Sequence, residues 1–204
     1  MDSFKFGLFD VFGYALPGFV TFLSIILMFQ DLSPTVEASA IHFSSIAKDA
    51  DINTIFLGFV LSYVIGFVQS PFGFTYFNWI GKRLWKKMLK GYEEPLSSLV
   101  HQGILIRHFS KGNLNFADIC SALRAMSFNL SLGFLWITFI TVIKLIRNEL
   151  FGWDWFFLVV VCICISAVTL NRAASFHLWT VRTLRETITV LKLDRIDPTK
   201  GGDA

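Results

Sequence analysis

Four stretches of the chain, residues 11–30, 52–81, 125–143 and 155–171, contain no Asp, Glu, Lys or Arg. A helix rises about 1.5 Å per residue, so crossing a hydrocarbon core of about 30 Å takes about 20 residues. Each stretch is long enough. A transmembrane strand would alternate polar and apolar positions, whereas Leu158-Val159-Val160-Val161-Cys162-Ile163-Cys164-Ile165 is apolar at both parities. The pattern predicts an all-α integral membrane protein with four transmembrane helices and cytoplasmic amphipathic helices.

The expected organisation starts with an interfacial segment and first transmembrane helix over 1–30, an outer loop over 31–53 and a second transmembrane helix over 54–80. A basic cytoplasmic loop follows over 81–124, then a third transmembrane helix over 125–143 and a second outer loop over 144–154. The fourth transmembrane helix covers 155–171, and 172–204 form a cytoplasmic amphipathic helix and tail. The first stretch is expected to be retained: Asp2, Lys5 and Asp10 precede it instead of a basic cluster, and residues 30–34 lack a small-x-small cleavage pattern. The fourth is the shortest, and a re-entrant segment is the alternative reading of it.

Charge orients these spans. Loop 31–51 has one basic residue, Lys48, against four acids, and 144–154 has Lys144 and Arg147 against two acids. Segment 82–124 carries eight basic residues and the part after 171 carries six; with Lys5, fifteen of the eighteen Lys and Arg fall on one side. The positive-inside rule makes that side cytoplasmic. The expectation is a multi-pass protein of the cell inner membrane with both termini in the cytoplasm.

Composition agrees. Of 204 residues, 54% are hydrophobic and 16% charged, whereas soluble domains are nearer a quarter charged. A soluble globular enzyme is excluded. The three cysteines point to no disulfide: Cys120 falls on the cytoplasmic side and Cys162 and Cys164 within the fourth span.

Gly58, Ser62, Gly66 and Ser70 recur every four residues in the second span. Small residues on one helix face allow close backbone approach where no hydrophobic effect drives association. They form a helix-packing groove, for another span of the same chain or for a second protomer. Pro17 and Pro71 each remove a helical hydrogen bond and predict kinks, with the second helix stopping or bending near Pro71 and Gly73. Phe74, Tyr76, Phe77 and Trp79 read as an interfacial aromatic belt. Gln69 and Asn129 are the principal intramembrane polar residues, with Ser127 and Ser131 near the latter; hydrogen bonding between helices is the plainer reading of them.

Residues 79–90 read as a basic amphipathic helix, with Leu84, Trp85, Met88 and Leu89 on one side and Lys82, Arg83, Lys86, Lys87 and Lys90 on the other. Such a segment lies along an anionic inner leaflet, gaining about 1 kcal/mol per basic residue. Phosphates of a nucleic acid would attract the same charges. Orientation alone explains the cluster, so direct nucleic-acid binding is not expected. A short helix from Glu93-Glu94-Pro95 to Phe109 is expected next, and a helix from about Asn115 into the third span. In the tail, Leu178, Val181, Leu184, Ile188 and Leu191 form an apolar stripe that needs a partner, either the central loop or another subunit.

No catalytic, cofactor or metal site is expected. His101, His108 and Cys120 lack metal-ligand spacing, and no GxSxG elbow or Gly-rich phosphate loop occurs. Glu93 and Glu94 are adjacent and diverge on a helix.

Three segments carry a resemblance: Phe9-Asp10-Val11-Phe12-Gly13-Tyr14-Ala15-Leu16-Pro17-Gly18, Ser62-Tyr63-Val64-Ile65-Gly66, and the basic helix from Arg172 to Leu193. In layout the chain resembles small multi-helix inner-membrane proteins encoded beside retrons, CRISPR effectors and other bacterial anti-phage systems. The resemblance implies a membrane effector of abortive infection, acting as a homo-oligomer or released by a cytosolic regulatory protein to permeabilise the bilayer. It implies no catalytic residues. The alternatives are a non-catalytic accessory subunit of a larger membrane complex and, further off, a small transporter or lipid enzyme.

Overall fold

A computed structural model describes residues 2–29, 35–84, 86–90, 106, 110–147 and 152–191. Every element among the described residues is helical. The long ones are α1 (Asp2–Phe29), α2 (Val36–Asp49), α3 (Ile52–Tyr76), α4 (Lys111–Ile146) and α5 (Trp153–Leu191). From α3 the chain continues through a π-helical segment, Phe77–Gly81, into two short turns, Lys82–Leu84 and Lys86–Leu89.

Three helices are long and apolar enough to cross a membrane: the continuous run Ile52–Leu84, α4 and α5. The chain is accordingly a membrane protein. In α1 the apolar part, Gly13–Phe29, is shorter. The outward face of α3 presents Ile55, Phe56, Phe59, Phe67 and Phe72, all exposed, a contiguous apolar surface that suits lipid and not water.

Local chemistry sets the boundaries. The Thr35 hydroxyl caps α2 by accepting from the Ala38 amide at 3.2 Å, with Glu37 in the first turn and Lys48 in the last, where each charge opposes the helix dipole. Segment 31–53, expected as a loop, thus contains a 14-residue helix. Asp51 caps α3, its carboxylate accepting from the Thr54 amide at 2.9 Å. The Thr54 hydrogen bonds hold that carboxyl below its ordinary range. Gly152, at φ 148°, takes a backbone conformation that disfavours side chains just before α5 begins.

Helix α4 starts at Lys111, earlier than the expected position near Asn115. It has 36 residues and α5 has 39, so the pair measures about 54 and 58 Å against a core of about 30 Å. The two run antiparallel, pairing Ser131 with Ser166, Arg124 with His177 and Asn113 with Thr187. Beyond the apolar stretches they form a two-helix stalk whose core is Ile106, Ala117 and Leu184, flanked by Leu114 and Ile188. The apolar stripe of α5 therefore finds its partner within the chain. Its buried positions there are His177, Thr180, Val181, Leu184 and Thr187, while Leu191 is exposed.

Helix α4 sits centrally, in contact with α1, α3 and α5. A glycine lies at the crossings among α1, α3 and α4. Between α1 and α3, a Cβ on Gly18 would fall 2.6 Å from the Gly66 amide nitrogen. Between α1 and α4, one on Gly133 would lie 3.1 Å from Val20 Cγ1, and between α3 and α4 one on Gly73 would lie 2.8 Å from Phe128 Cδ2.

Candidate functional site

Only half of the small-residue row of α3 packs. Ser62 and Gly66 are buried against α1, whereas Gly58 faces open space and Ser70 is half-buried. The reason is angular. At 100° per residue an i+4 step overshoots the turn by about 40°, so Gly58 and Ser70 diverge by about 120° around the helix. The face that α3 buries is Ser62, Gly66, Gln69 and Gly73, which mixes steps of four and three.

Gln69 opens a polar seam through the apolar bundle. Its side-chain carbonyl accepts from the Thr21 hydroxyl of α1, and its amide donates to the Asn129 carbonyl of α4 at 2.9 Å, so one side chain ties three helices. Ser131 and Ser166 clamp α4 to α5 reciprocally: each hydroxyl reaches the other residue's carbonyl, at 2.9 and 3.0 Å, and the two hydroxyls are 2.9 Å apart. The Tyr76 hydroxyl approaches Ser131 at 3.4 Å. Ser127 bonds only the Leu123 carbonyl one turn back, at 2.7 Å, a local role.

Asn129 differs. It is fully buried, and neither its side-chain nitrogen nor its side-chain oxygen has a hydrogen-bond partner among the described residues. The oxygen lies against Gly73, where any Cβ would collide with it. Leaving such groups unpaired costs about 1–3 kcal/mol.

A second polar contact lies where the bundle meets the stalk. Arg124 Nη1 is 2.8 Å from His177 Nδ1, and Nη2 is 3.3 Å from the Ser121 hydroxyl. A guanidinium only donates, so Nδ1 accepts and the imidazole proton resides on Nε2. The imidazole stands edge-on to Phe77 at 6.0 Å, and Phe77 stacks on Phe128 at 6.0 Å. Phe77 is thus a core residue and not part of an aromatic belt; Trp79 and Phe74 remain exposed. The cause is position: Phe77 lies four residues after Gly73, its amide still bonded to the Gly73 carbonyl, and so continues the face that α3 buries. The second helix does not stop at Pro71 and Gly73 but continues to Tyr76 and on through the π-helical Phe77–Gly81. Helix α3 runs through Pro71 and α1 through Pro17. In both, the hydroxyl of a threonine four residues on lies within hydrogen-bond reach of the proline carbonyl, Thr75 at 3.0 Å and Thr21 at 3.2 Å.

Arg83 lies over the Trp79 ring at 5.3 Å, and Lys86, Lys87 and Lys90 are exposed while Lys82 is half-buried. Trp85, His101, His108 and the helix expected from Glu93 lie outside the described residues. Thr21, Ser166, Arg124 and His177 escaped the sequence reading as members of these contacts, and Tyr76 was read only as part of the aromatic belt. A hydroxyl one turn beyond a proline, and a histidine in register with the apolar stripe of α5, were the available signals.

No family model, curated protein or solved structure matches this chain. Its functional assignment therefore rests on geometry and sequence alone. Among the described residues, no three His, Cys, Asp or Glu side chains gather as metal ligands. The seam's chemistry is hydrogen-bond exchange between helices.

Proposed function

We propose that this chain is an inner-membrane effector of an antiviral defence system, triggered through a cytosolic partner to perturb or permeabilise the bilayer and cause abortive infection. Four helices cross, with both termini and the basic 81–124 segment in the cytoplasm. The apolar Gly13–Phe29 belongs to a 28-residue helix, about 42 Å long, which supports the fourth crossing.

The observation that carries this reading is Asn129, unpartnered at the centre of an otherwise bonded seam. A half-satisfied polar network favours any second arrangement, or water, that would satisfy it. A triggered membrane effector needs such a resting state close in energy to an alternative. On the stalk, Trp179 and Val190 are exposed beyond the apolar stretch, which supports a protein partner on the cytosolic side.

The test is inducible expression with a membrane-potential dye, with and without phage. Depolarisation and arrested growth on triggering are expected; unchanged potential and growth in both conditions exclude the reading. The same exposed stalk residues favour a second reading, an accessory subunit of a larger complex. That reading requires a stoichiometric membrane partner on detergent pull-down and no depolarisation.

A further inference from the structure

We infer that the cleft between α1, α3 and α4 holds one hydrocarbon chain of a bilayer phospholipid, selected by the fit of the chain and not by the headgroup. The cleft has a volume of about 890 Å³, within the range of small-molecule sites. Val68, Phe72 and Phe139 both line it and are exposed, so it opens sideways to lipid. Along α4 it extends from Trp136 to Arg147, about 16 Å at 1.5 Å per residue. Trp136 lies near the middle of the charge-free stretch 125–143. The cleft is therefore one leaflet deep, half of a core of about 30 Å, which is the span of a single phospholipid chain.

The walls decide the occupant. The Thr21 hydroxyl is bonded to Gln69, the Ser24 hydroxyl to the Thr21 carbonyl, and the Gln69 amide to the Asn129 carbonyl. Water, which needs about two to four polar partners, is poorly held among groups so committed. At the rim, Lys144 and Arg147 are each already engaged, so headgroup charge gives no basis for selection. An α-helix with its side chains is about 10 Å wide, and over this length it fills about 1,300 Å³, more than the cleft contains. A second copy of the chain cannot seat a helix there without parting the three that form it, whereas a lipid chain is narrow and flexible enough to enter from the side. No hydrophobic effect drives association inside a bilayer. What holds the chain is dispersion, because an empty cleft leaves the side chains around it without contacts on one side. The inference rests on α1 standing in the bilayer with α3 and α4, as proposed above. Alkaline extraction tests that condition and depolarisation tests the defence reading, each apart from lipid retention.

The experiment is native mass spectrometry of the full chain, extracted from nanodiscs holding equal phosphatidylglycerol and phosphatidylcholine with identical chains. Wild type should retain one phospholipid per chain, the two headgroups alike. Ile140→Trp, which fills the cleft from α4, should lose it. Ile163→Trp, on the exposed face of α5 away from the cleft, should keep it. A lipid-free wild type, a strong preference for either headgroup, or equal loss in the two variants overturns the site; equal loss would mark the lipid as part of the general annulus. Should Ile140→Trp fail to fold by circular dichroism, Val64→Trp fills the cleft from α3 and the same outcomes decide. Should both fail, wild type is offered phosphatidylcholines with chains of ordinary and of half that length. Retention of the longer in excess supports the site, and equal retention overturns it.

Discussion

Gly66 of α3 lies against the backbone of Tyr14 in α1, and a Cβ on it would come within 2.7 Å of the Tyr14 carbonyl carbon. The colliding atoms are main chain, which no side-chain rotation can move aside. Gly66→Leu should separate α1 from α3 and cost 3 kcal/mol or more on the scale of about 1–3 kcal/mol for ordinary overpacking, read as a lower Tm in detergent. Gly58→Ala enters open space and should leave Tm unchanged or slightly raised. Equal effects at the two positions would show that the crossing does not hold the bundle.

The Ser131 and Ser166 clamp invites a double-mutant cycle. Hydrogen bonds between membrane helices average about 0.6 kcal/mol and reach about 1.7. Because the contact is reciprocal, Ser131→Ala and Ser166→Ala should couple at the upper part of that range. Additive losses in unfolding free energy would mean the two residues act independently.

Removing the orphaned amide should help. Asn129→Ala eliminates two buried unpartnered atoms and should raise stability by about 1 kcal/mol, while triggered depolarisation weakens if the seam is the bistable element. Gln69→Ala breaks links to both Thr21 and Asn129 and should lower stability by about 1–3 kcal/mol. The opposite signs are the diagnostic.

His177→Phe fills similar space but withdraws the acceptor for Arg124. A loss of about 2 kcal/mol is expected, and His177→Gln, which retains an acceptor, should recover part of it. Identical Tm values for the two variants would reduce the contact to packing.

Leu184→Ala opens the stalk core against Ile106 and Ala117, at about 2–5 kcal/mol for a buried leucine. Limited proteolysis should then cut within the stalk while the apolar bundle stays protected.

The long helices were legible because charge-free runs and helix length are local properties of the chain. Their partners were not. Helix α4 is enclosed on three sides, so Ser127, Phe128, Asn129 and Ser131 are all buried although their angular positions oppose each other; periodicity fades when no face meets the exterior. The row at Gly58, Ser62, Gly66 and Ser70 could be seen, but which pair touches depends on where Gly18 crosses. The cap at Thr35 and the charges at Glu37 and Lys48 marked α2, yet the scarcity of long apolar runs around it made a loop the simpler reading. Phe77 continues the buried row of Gly66, Gln69 and Gly73, but its place at the end of the apolar stretch, beside Tyr76 and Trp79, made it read as an interfacial aromatic.

Helix α5 has no break between Trp153 and Leu191, so the part that packs against Ser131 and the part that carries the exposed Val190 are one rod. Such a rod works as a lever with its fulcrum near Ala173 and Ala174, where it packs against Phe77 and Phe128. A tilt imposed near Val190 reappears, reversed in direction, at the opposite end, where Asp154 accepts from the Val36 amide at 2.6 Å.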